Sequence, residues 1–406
     1  MEIENRDNWF MADLHIHSRF SRACSKNIDF ENLVKWAKIK GLDLLGTGDF
    51  THPTWFKEIK ELEDKGKGFY YKDDFPFVIT GEISLIYTQE RGRRIHLVLL
   101  VPSINVAEKI NSYLDTKGRR DYDGRPIFKI PGNEFVKEMI KISEDIEIIP
   151  AHIWTPWFGV FGSNSGFDSL KECFKEEMKN IHAIETGMSS DPGMNWRIKE
   201  LEDKAIVSFS DAHSFWPFRL GREATIFRKT DSYKEIIKQI RDNDFLATIE
   251  VDPAYGKYHF DGHRNCSFSC GPEKSKELNN ICPVCKRPLV IGVENRVEQL
   301  ASKNTDYKNK KKYFTLLPLH ELISLAVLSN MQSKRVWDIY NPLIKDFGDE
   351  FNILLNVKRE EMISKNVDAK LIGLIMKNRS GNIKVKPGFD GEYGIAIMGE
   401  KQGTLF

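Results

Sequence analysis

Short apolar runs alternate with amphipathic stretches through the first 255 residues or so. The apolar runs have the length of strands, and the stretches between them have the length of helices. The predicted strands are 10–15, 42–46, 77–83, 95–101, 146–151, 181–185 and 206–210. The predicted helices are 30–40, 104–116, 133–143 and 232–242. Strands that alternate with helices indicate parallel βα units, and about seven such units favour a closed barrel over an open sheet.

The pattern changes after residue 255. The segment 256–290 is polar and rich in cysteine, and it is too short to fold around an apolar core of its own. Beyond residue 300 the pattern is helical, with predicted helices at 314–329, 333–348, 351–364 and 369–381. We therefore predict an α/β domain over 1–255, a zinc-binding module over 256–300, a helical DNA-binding domain over 301–395 and a flexible tail over 396–406.

Charge and cysteine usage narrow the class of protein. The chain has 60 Lys and Arg residues against 59 Asp and Glu residues, so nucleic-acid binding must come from local basic patches. It has no apolar run long enough for a membrane span and no signal-peptide pattern, so no membrane partner is expected. Four of the six cysteines lie between Cys266 and Cys285, which indicates a metal site and free thiols in a reducing cytoplasm.

Imidazoles and carboxylates collect at the ends of the predicted strands. His15 and His17 flank Ile16, and residues two apart on an extended backbone point to the same side. The other candidate ligands are Asp49, His52, Glu82, His96, His152, Asp211 and His213. A single histidine at a strand end is usually a hydrogen-bonded surface residue, but the ordered set favours a metal site that holds zinc, manganese or iron. The set exceeds the needs of one ion, and Glu82 and Asp211 can bridge, so two or three ions are predicted.

The four clustered cysteines form two pairs, Cys266 with Cys270 and Cys282 with Cys285. Such spacings let a tight turn present two sulfurs to one tetrahedral zinc ion. A redox Cys-x-x-Cys motif is the alternative, and the second pair argues against it. His259 and His263 rank below the cysteines as ligands. The module is predicted to be structural, because four thiolates leave no open position for catalysis.

The ordered motifs DLHIHS (13–18), GTGDFTH (46–52), TGE (80–82), His96, PAH (150–152) and SDAH (210–213) resemble the polymerase-and-histidinol-phosphatase (PHP) superfamily of phosphoesterases. This resemblance implies a distorted βα barrel with divalent ions, Zn²⁺, Mn²⁺ or Mg²⁺, in a trinuclear centre. It implies hydrolysis by metal-activated water, with Glu82, Asp211 and His213 as catalytic residues. The chain departs from the superfamily pattern where Phe50 and Thr51 separate Asp49 from His52.

The order of barrel, cysteine module and helical region, with the text GTGDFTHPTW (46–55), ETGMSSDPGMNWR (185–197) and KPGFDGEYG (386–394), resembles the endonuclease Q family of DNA-repair enzymes. The resemblance covers nearly the whole chain. It implies cleavage of the phosphodiester on the 5′ side of uracil, hypoxanthine, xanthine and abasic sites in damaged DNA. The implied products carry 3′-hydroxyl and 5′-phosphate ends.

A lesion must leave the base stack to be recognised. Residues of two predicted loops could contact the extruded base. Trp154, Trp157 and Phe158 follow His152 and could wedge the duplex or stack on the base; the alternative is a hydrophobic loop over the barrel mouth. Ser189 and Ser190 could read the edge of the extruded base. Arg93, in the sequence RGRR (91–94), could hold backbone phosphates, although such a charge run is as often a solvated turn.

The last residues resemble the start of a sliding-clamp-binding peptide. Gln402, Leu405 and Phe406 match its glutamine, aliphatic and first aromatic positions, and the usual second aromatic residue is missing. A sliding clamp is therefore a predicted partner.

Two other functions remain compatible with the sequence. One is a PHP-type phosphatase acting on small phosphate monoesters, in which the cysteine module and the helices serve oligomerisation. The other is a non-catalytic DNA-binding scaffold with a vestigial barrel. The nearly complete ligand set argues against the scaffold, because an inactive site would tolerate losses.

Overall fold

The structure, a computed structural model, describes residues 6–397, so the clamp-like residues Gln402, Leu405 and Phe406 lie outside the described residues. Its strands are β1 (Trp9–Asp13), β2 (Leu44–Gly46), β3 (Glu63–Asp64), β4 (Tyr70–Lys72), β5 (Phe75–Gln89), β6 (Arg91–Val101), β7 (Ile127–Phe128), β8 (Glu147–Pro150), β9 (Ala183–Glu185), β10 (Ala205–Val207), β11 (Ala224–Arg228), β12 (Ala247–Glu250), β13 (Asp261–His263), β14 (Phe268–Cys270), β15 (Lys312–Thr315), β16 (Lys384–Lys386) and β17 (Ile395–Ile397).

The α-helices are α1 (Phe30–Lys40), α2 (Pro53–Ile59), α3 (Ile104–Asp115), α4 (Gly132–Ile142), α5 (Leu170–Phe174), α6 (Pro192–Asn195), α7 (Tyr233–Arg241), α8 (Pro272–Glu277), α9 (Val293–Leu300), α10 (Leu319–Val327), α11 (Lys334–Phe347), α12 (Glu350–Leu355), α13 (Arg359–Ser364) and α14 (Ala369–Arg379). Short 3-10 helices lie at Arg6–Asn8, Lys175–Asn180, Lys199–Leu201, Pro253–Tyr255 and Arg264–Cys266. Among residues 6–397, none of the helices combines the length and the apolar character that a membrane crossing requires.

Each strand and helix predicted before residue 255 has a counterpart in the structure. Helix α1 shows the local reasons. The Asp29 side chain accepts a hydrogen bond from the backbone N–H of Asn32 at 2.7 Å, which satisfies one of the free donors at the start of the helix. Gly41 ends the helix at a φ of 93°, a conformation that a side chain would strain. Capping residues therefore set both ends of α1.

The expectation of purely parallel βα units was wrong for the middle of the barrel. Strands β1, β2 and β5 pair in parallel, but β5 and β6 form one long antiparallel hairpin, in which Ser84 lies opposite His96. Strand β6 then pairs antiparallel with β8. The reason is the connection: β5 and β6 are joined through Glu90 alone, and only antiparallel strands can be joined by so short a turn.

Backbone contacts close the strands into a ring. The Ile153 N–H donates to the Glu185 carbonyl at 3.1 Å, which links the end of β8 to β9, and β9 pairs in parallel with β10. Beyond β10, Ala212 bridges Ile16, and its carbonyl accepts from the N–H of His17 at 3.0 Å. The segments that follow β1 and β10 therefore meet at one mouth of the barrel.

The cysteine-rich segment contains a small antiparallel hairpin, β13 with β14. Helix α9, which follows it, contacts the barrel through Arg296. This buried guanidinium donates to the carbonyls of Phe161 and Phe167, each at 3.0 Å, and pairs with Asp168 at 2.5 Å. Buried polar contacts therefore fix this segment beside the loop that follows β8.

The C-terminal region packs helices α10 to α14 around a core of its own that includes Leu322, Tyr340 and Ile375. Two predicted helices differ in their bounds. The helix predicted from 314 begins at Leu319, because Lys312–Thr315 adds a parallel strand beside β12. The helix predicted over 351–364 divides into α12 and α13. The added strand attaches the helical region directly to the main sheet.

A buried ion pair joins the helical region to α1. Lys40 Nζ lies 2.7 Å from Glu350 Oε1, and both side chains are at most 1% exposed. Lys40 also donates to the Pro217 carbonyl at 2.7 Å, and Tyr340 donates to Glu350 at 2.9 Å. Both charges are therefore satisfied by several hydrogen bonds.

Replacing Lys40 by methionine should lower the free energy of unfolding by about 3–5 kcal/mol, because the Glu350 carboxylate would stay buried without its counter-charge. Urea unfolding followed by circular dichroism measures the change. Lys38→Met is the matched control: it removes an exposed ion pair to Asp74 from the same helix and should change stability by less than about 1 kcal/mol. Equal losses in the two variants would contradict the role given to Lys40.

Candidate metal centre

His15 and His17 follow β1 on extended backbone, and both side chains are buried. Leu14 and Ile16 alternate with them and pack into the core, so the period of two sends both imidazoles to the same side. The carboxylate of Asp13 ties this segment to the residues that follow β10, the neighbouring segment of the ring. It accepts hydrogen bonds from the backbone N–H groups of Ser210 at 3.0 Å and Gly221 at 2.9 Å.

A first group of ligand atoms comes from His15, His17, Glu82 and Asp211, which all lie within 4.8 Å of one another. His17 Nε2 is 2.9 Å from Asp211 Oδ1 and 3.3 Å from Glu82 Oε2. His15 Nε2 is 3.6 Å from Asp211 Oδ1 and 3.7 Å from Glu82 Oε2, and this buried nitrogen has no hydrogen-bond partner. A buried, unpartnered imidazole nitrogen that faces two carboxylates suits a divalent cation.

A second group contains Glu82, His96 and His152. His96 Nδ1 lies 2.8 Å from Glu82 Oε1, and His152 Nε2 lies 3.1 Å from the same oxygen. Glu82 therefore turns Oε2 to the first group and Oε1 to the second, which is the arrangement of a bridging carboxylate. The β5–β6 hairpin produces it, because Glu82 and His96 lie on the same face of adjacent strands.

Two further carboxylates orient the imidazoles. Glu185 lies 2.8 Å from His15 Nδ1 and accepts from the backbone N–H of His152 at 2.8 Å. Asp49 lies 3.0 Å from His17 Nδ1 and also accepts from the N–H and hydroxyl of Ser18. A carboxylate on the second ring nitrogen is the usual support of a metal-binding histidine. Sequence reasoning missed Glu185, although this residue ends a predicted strand just as Glu82 does.

The remaining predicted ligands lie outside the two groups. Asp49 orients His17 instead of joining either group. The His52 ring stacks on Phe20 with centroids 4.2 Å apart. His213 lies nearby, with Nδ1 2.9 Å from the Asp211 carbonyl and its ring 4.6 Å from that of His17. Among the described residues, the barrel mouth thus presents two ligand groups, and the predicted third ion has no group of its own.

The electrostatics of the mouth favour cations. Burial opposes charge here, yet His96, Arg125 and His15 hold the pKa of Glu82 well below its ordinary value. Burial is likewise outweighed at His15, whose pKa is raised well above its usual range by Glu185 and Glu82. Cations can replace the protons that balance these carboxylates, as metal binding to such ligands generally does. The residues present therefore fit divalent ions.

Three residues at the barrel mouth have a strained backbone. Asp49, His152 and Asp211 have positive φ angles of 45°, 29° and 48°, in a region that residues other than glycine seldom occupy. Such strain persists where surrounding structure enforces it, and it concentrates at functional sites. Gly187 shows the crowding, because a Cβ there would lie 2.5 Å from the Cβ of His152.

Four of the predicted DNA-contacting residues are buried, which argues against direct contact with DNA: Trp154, Arg93, Ser189 and Ser190. Trp154 is fully buried, and its indole N–H donates to Asn195 at 2.8 Å. Arg93 donates to the carbonyls of Gln89 and Gly166 and lies over the ring of Phe167. Ser190 is fully buried, and its hydroxyl donates to the Thr186 carbonyl. Trp154, Arg93 and Ser190 therefore make their hydrogen bonds within the protein.

The other two predicted DNA-contacting residues are partly exposed. Trp157 and Phe158 are half-buried, and the Phe158 ring lies 4.4 Å from that of His96. Trp157 packs edge-on against Tyr258, with centroids 5.3 Å apart. Phe158 is therefore the aromatic side chain of this loop that lies beside the second ligand group.

In the cysteine-rich segment the structure brings together His263, Cys266, Cys282 and Cys285. His263 Nδ1 lies 3.1 Å from the Cys266 sulfur and 3.4 Å from that of Cys285. Cys270, predicted as the fourth ligand, lies outside this group. The hairpin register explains this, because Cys270 pairs with Asp261 and so sits two residues along the ladder from His263.

Comparisons with known proteins cover up to 97% of the chain. Residues 318–382 match the family model described as the MJ0043 C-terminal domain. The uncharacterized protein MJ0043 of Methanocaldococcus jannaschii is 34% identical over 248 residues, which are 59% of this chain and only 31% of that protein. The uncharacterized protein YqxK of Bacillus subtilis is 26% identical over 405 residues, 94% of this chain and 98% of that protein.

Two solved structures are similar across almost their full length. The lesion-specific endonuclease PfuEndoQ from Pyrococcus furiosus has a TM-score of 0.86 at 30% identity, over 96% of this chain and 95% of that one. Endonuclease Q in complex with a 27-mer duplex that carries an abasic lesion at the active site has a TM-score of 0.87 at 30% identity, over 97% of each chain.

The ligand set of the small module can be tested by counting bound zinc. His263→Ala should lose most of one zinc equivalent per chain to the chelator, because three thiolates and a water hold zinc more weakly than four protein ligands, whereas Cys270→Ser should keep it. Elemental analysis after dialysis against a weak chelator measures the difference. Loss of zinc in Cys270→Ser with full retention in His263→Ala would restore the four-cysteine set.

Proposed function

The chain belongs to the endonuclease Q family, and from this premise we propose that it is a metal-dependent DNA-repair endonuclease that cuts damaged duplexes. One observation carries the proposal: Glu82 joins two ligand groups at the barrel mouth of a chain that matches, over 97% of its length, an enzyme solved with an abasic lesion at its active site. Damaged DNA is therefore the proposed substrate.

The proposed specificity is hydrolysis on the 5′ side of uracil, hypoxanthine, xanthine and abasic sites. The sequence resemblance supports all four lesions, and the abasic duplex bound by the solved relative supports the last one. A recognised base must leave the stack. Phe158, beside His96, is the partly exposed ring best placed to contact it.

Divalent ions bound by these residues would polarise phosphoryl oxygens and make water more acidic, which is the chemistry that phosphodiester hydrolysis needs. The protein residues set where this happens. His15, His17 and Glu82 are at most 1% exposed, whereas the Asp211 and His213 side chains are 28% and 33% exposed. Substrate therefore approaches from the side of Asp211 and His213, while Glu185 and Asp49 fix the imidazoles behind.

The other parts of the chain have accessory roles in this proposal. The module of His263, Cys266, Cys282 and Cys285 would hold a structural zinc ion, because four protein ligands leave no open position. Binding of a sliding clamp through Gln402, Leu405 and Phe406 stays a prediction, as does the cytoplasmic location.

The central test is a nicking assay on duplexes that carry one uracil, one hypoxanthine or one abasic site. The metal-loaded protein should cut the damaged strand on the 5′ side of each lesion and leave the undamaged duplex intact. Excess chelator should abolish cutting, and added Zn²⁺, Mn²⁺ or Mg²⁺ should restore it. Denaturing gels give both the position and the rate of the cut.

The same preparation should turn over a generic aryl phosphate poorly. Rapid hydrolysis of that ester with no nicking would favour the small-molecule phosphatase instead. DNA binding with neither activity, at any metal, would favour the non-catalytic scaffold.

Asp211→Asn should reduce nicking by at least about a hundredfold, because a neutral amide would replace the carboxylate that faces His15 and His17. Affinity for lesion DNA, measured by fluorescence anisotropy, should stay close to that of the wild type. Cys24→Ser is the control against a covalent mechanism. Burial raises the pKa of the Cys24 thiol to about 12, so it is not a nucleophile at neutral pH, and its loss should leave nicking unchanged.

A further inference from the structure

Arg125 is a positively charged residue at a site built for cations. Its Nη1 lies 2.9 Å from Glu82 Oε2, the oxygen that faces His15 and His17. The Arg125 side chain is 23% exposed, whereas that of Glu82 is fully buried. The guanidinium therefore reaches from the solvent side of the mouth to the carboxylate shared by both ligand groups.

The backbone around Arg125 is held tightly against the site. A Cβ on Gly124 would lie 2.1 Å from Asp49 Oδ2 and 2.4 Å from the Ser21 hydroxyl, so only glycine allows this approach. The Gly124 N–H donates to the Phe20 carbonyl at 3.1 Å, and the Ser84 N–H donates to the Pro126 carbonyl at 3.1 Å. The fold thus anchors the residues on both sides of Arg125 beside the ligands.

A guanidinium in this position needs an anion once the ligand groups hold cations. Glu82 would then share its charge with the ions, and Arg125 would face positive charge at short range. The other carboxylates that influence Arg125 are Asp211, which belongs to the first ligand group, and Asp123, which is in its own loop. The planar fork of arginine matches the oxygens of a phosphate, and it is the common choice for such contacts.

We propose that Arg125 binds the scissile phosphate of the DNA substrate, so that it acts together with the ions held by Glu82. The inference rests on the proposed function, because it takes a phosphodiester as substrate. Arg125 is then a catalytic residue that the sequence motifs did not include. Its exposed edge and its reach to Glu82 place it between solvent and both ligand groups.

The contact between Arg125 and the phosphate can be measured by binding of the reaction product, so that no cleavage is needed. The probe is a nicked duplex whose lesion strand begins at the nick with a 5′-phosphate, compared with the same duplex bearing a 5′-hydroxyl. The metal-loaded wild type should bind the phosphate form roughly ten- to a hundredfold more tightly, as expected for charge-assisted hydrogen bonds. Arg125→Ala should reduce this preference about tenfold, with the remainder due to the ions, and Arg125→Lys should fall between the two, because lysine retains the charge without the fork.

Arg119→Ala is the matched control. It removes an exposed arginine, 77% exposed and paired with Asp121, from the same stretch of chain. It should keep the wild-type preference for the 5′-phosphate. Metal content should be unchanged or higher in Arg125→Ala, because removing a positive charge beside the ligands cannot weaken cation binding electrostatically.

Each outcome has one meaning. A wild type that nicks lesion DNA but does not distinguish the two probes overturns the role of Arg125, and so does an Arg125→Ala protein that distinguishes them as the wild type does. Loss of bound metal in Arg125→Ala also overturns it, because the residue would then support the ligands. A wild type that does not nick lesion DNA overturns the proposed function itself.

Discussion

The burial of Glu82 between two groups of imidazoles is the constraint on which the rest of the site depends. A carboxylate that is fully removed from water would ordinarily take up a proton, because desolvation disfavours its charge. Here each oxygen faces its own partners, His96 and His152 at Oε1 and His15 and His17 at Oε2. The charge is therefore retained only if separate segments of the chain converge on one point. Closing the ring of strands is what brings them there.

The sequence predicted the strands of the barrel and the residues that form both ligand groups. Apolar runs locate the strands, and the histidines and acids at the ends of those runs are the residues that can meet at one mouth. The sequence did not predict how the strands pair. The β5–β6 hairpin replaces a βα unit, and this hairpin places Glu82 and His96 on one face. Glu185 ended a predicted strand and could have been found by the same rule. Arg125 could not, because it lies in a loop whose path is set by the approach of Gly124 to Asp49.

The burial of individual polar and aromatic side chains was the least predictable property. Trp154, Arg93 and Ser190 have the chemistry of DNA contacts, but each is buried and hydrogen-bonded within the protein, Trp154 to Asn195, Arg93 to Gln89 and Ser190 to Thr186. The residue group of the cysteine-rich segment shows the same limit. Cysteine spacing favoured Cys270, whereas the 3-10 turn over Arg264–Cys266 brings His263 to the other sulfurs. Spacing along the chain restricts which residues can meet, and the register of the β13–β14 hairpin then decides that His263, and not Cys270, joins the other three cysteines.

The accessory regions are fixed to the barrel by buried polar contacts as well as by apolar packing. Lys40 pairs with Glu350 under the helical region, and Arg296 donates to the loop that carries Phe158 to the second ligand group. Breaking either contact would leave a charge buried without a partner, which costs far more than sliding one apolar surface over another. The two contacts therefore hold the helical region and the cysteine-rich segment in place relative to the barrel.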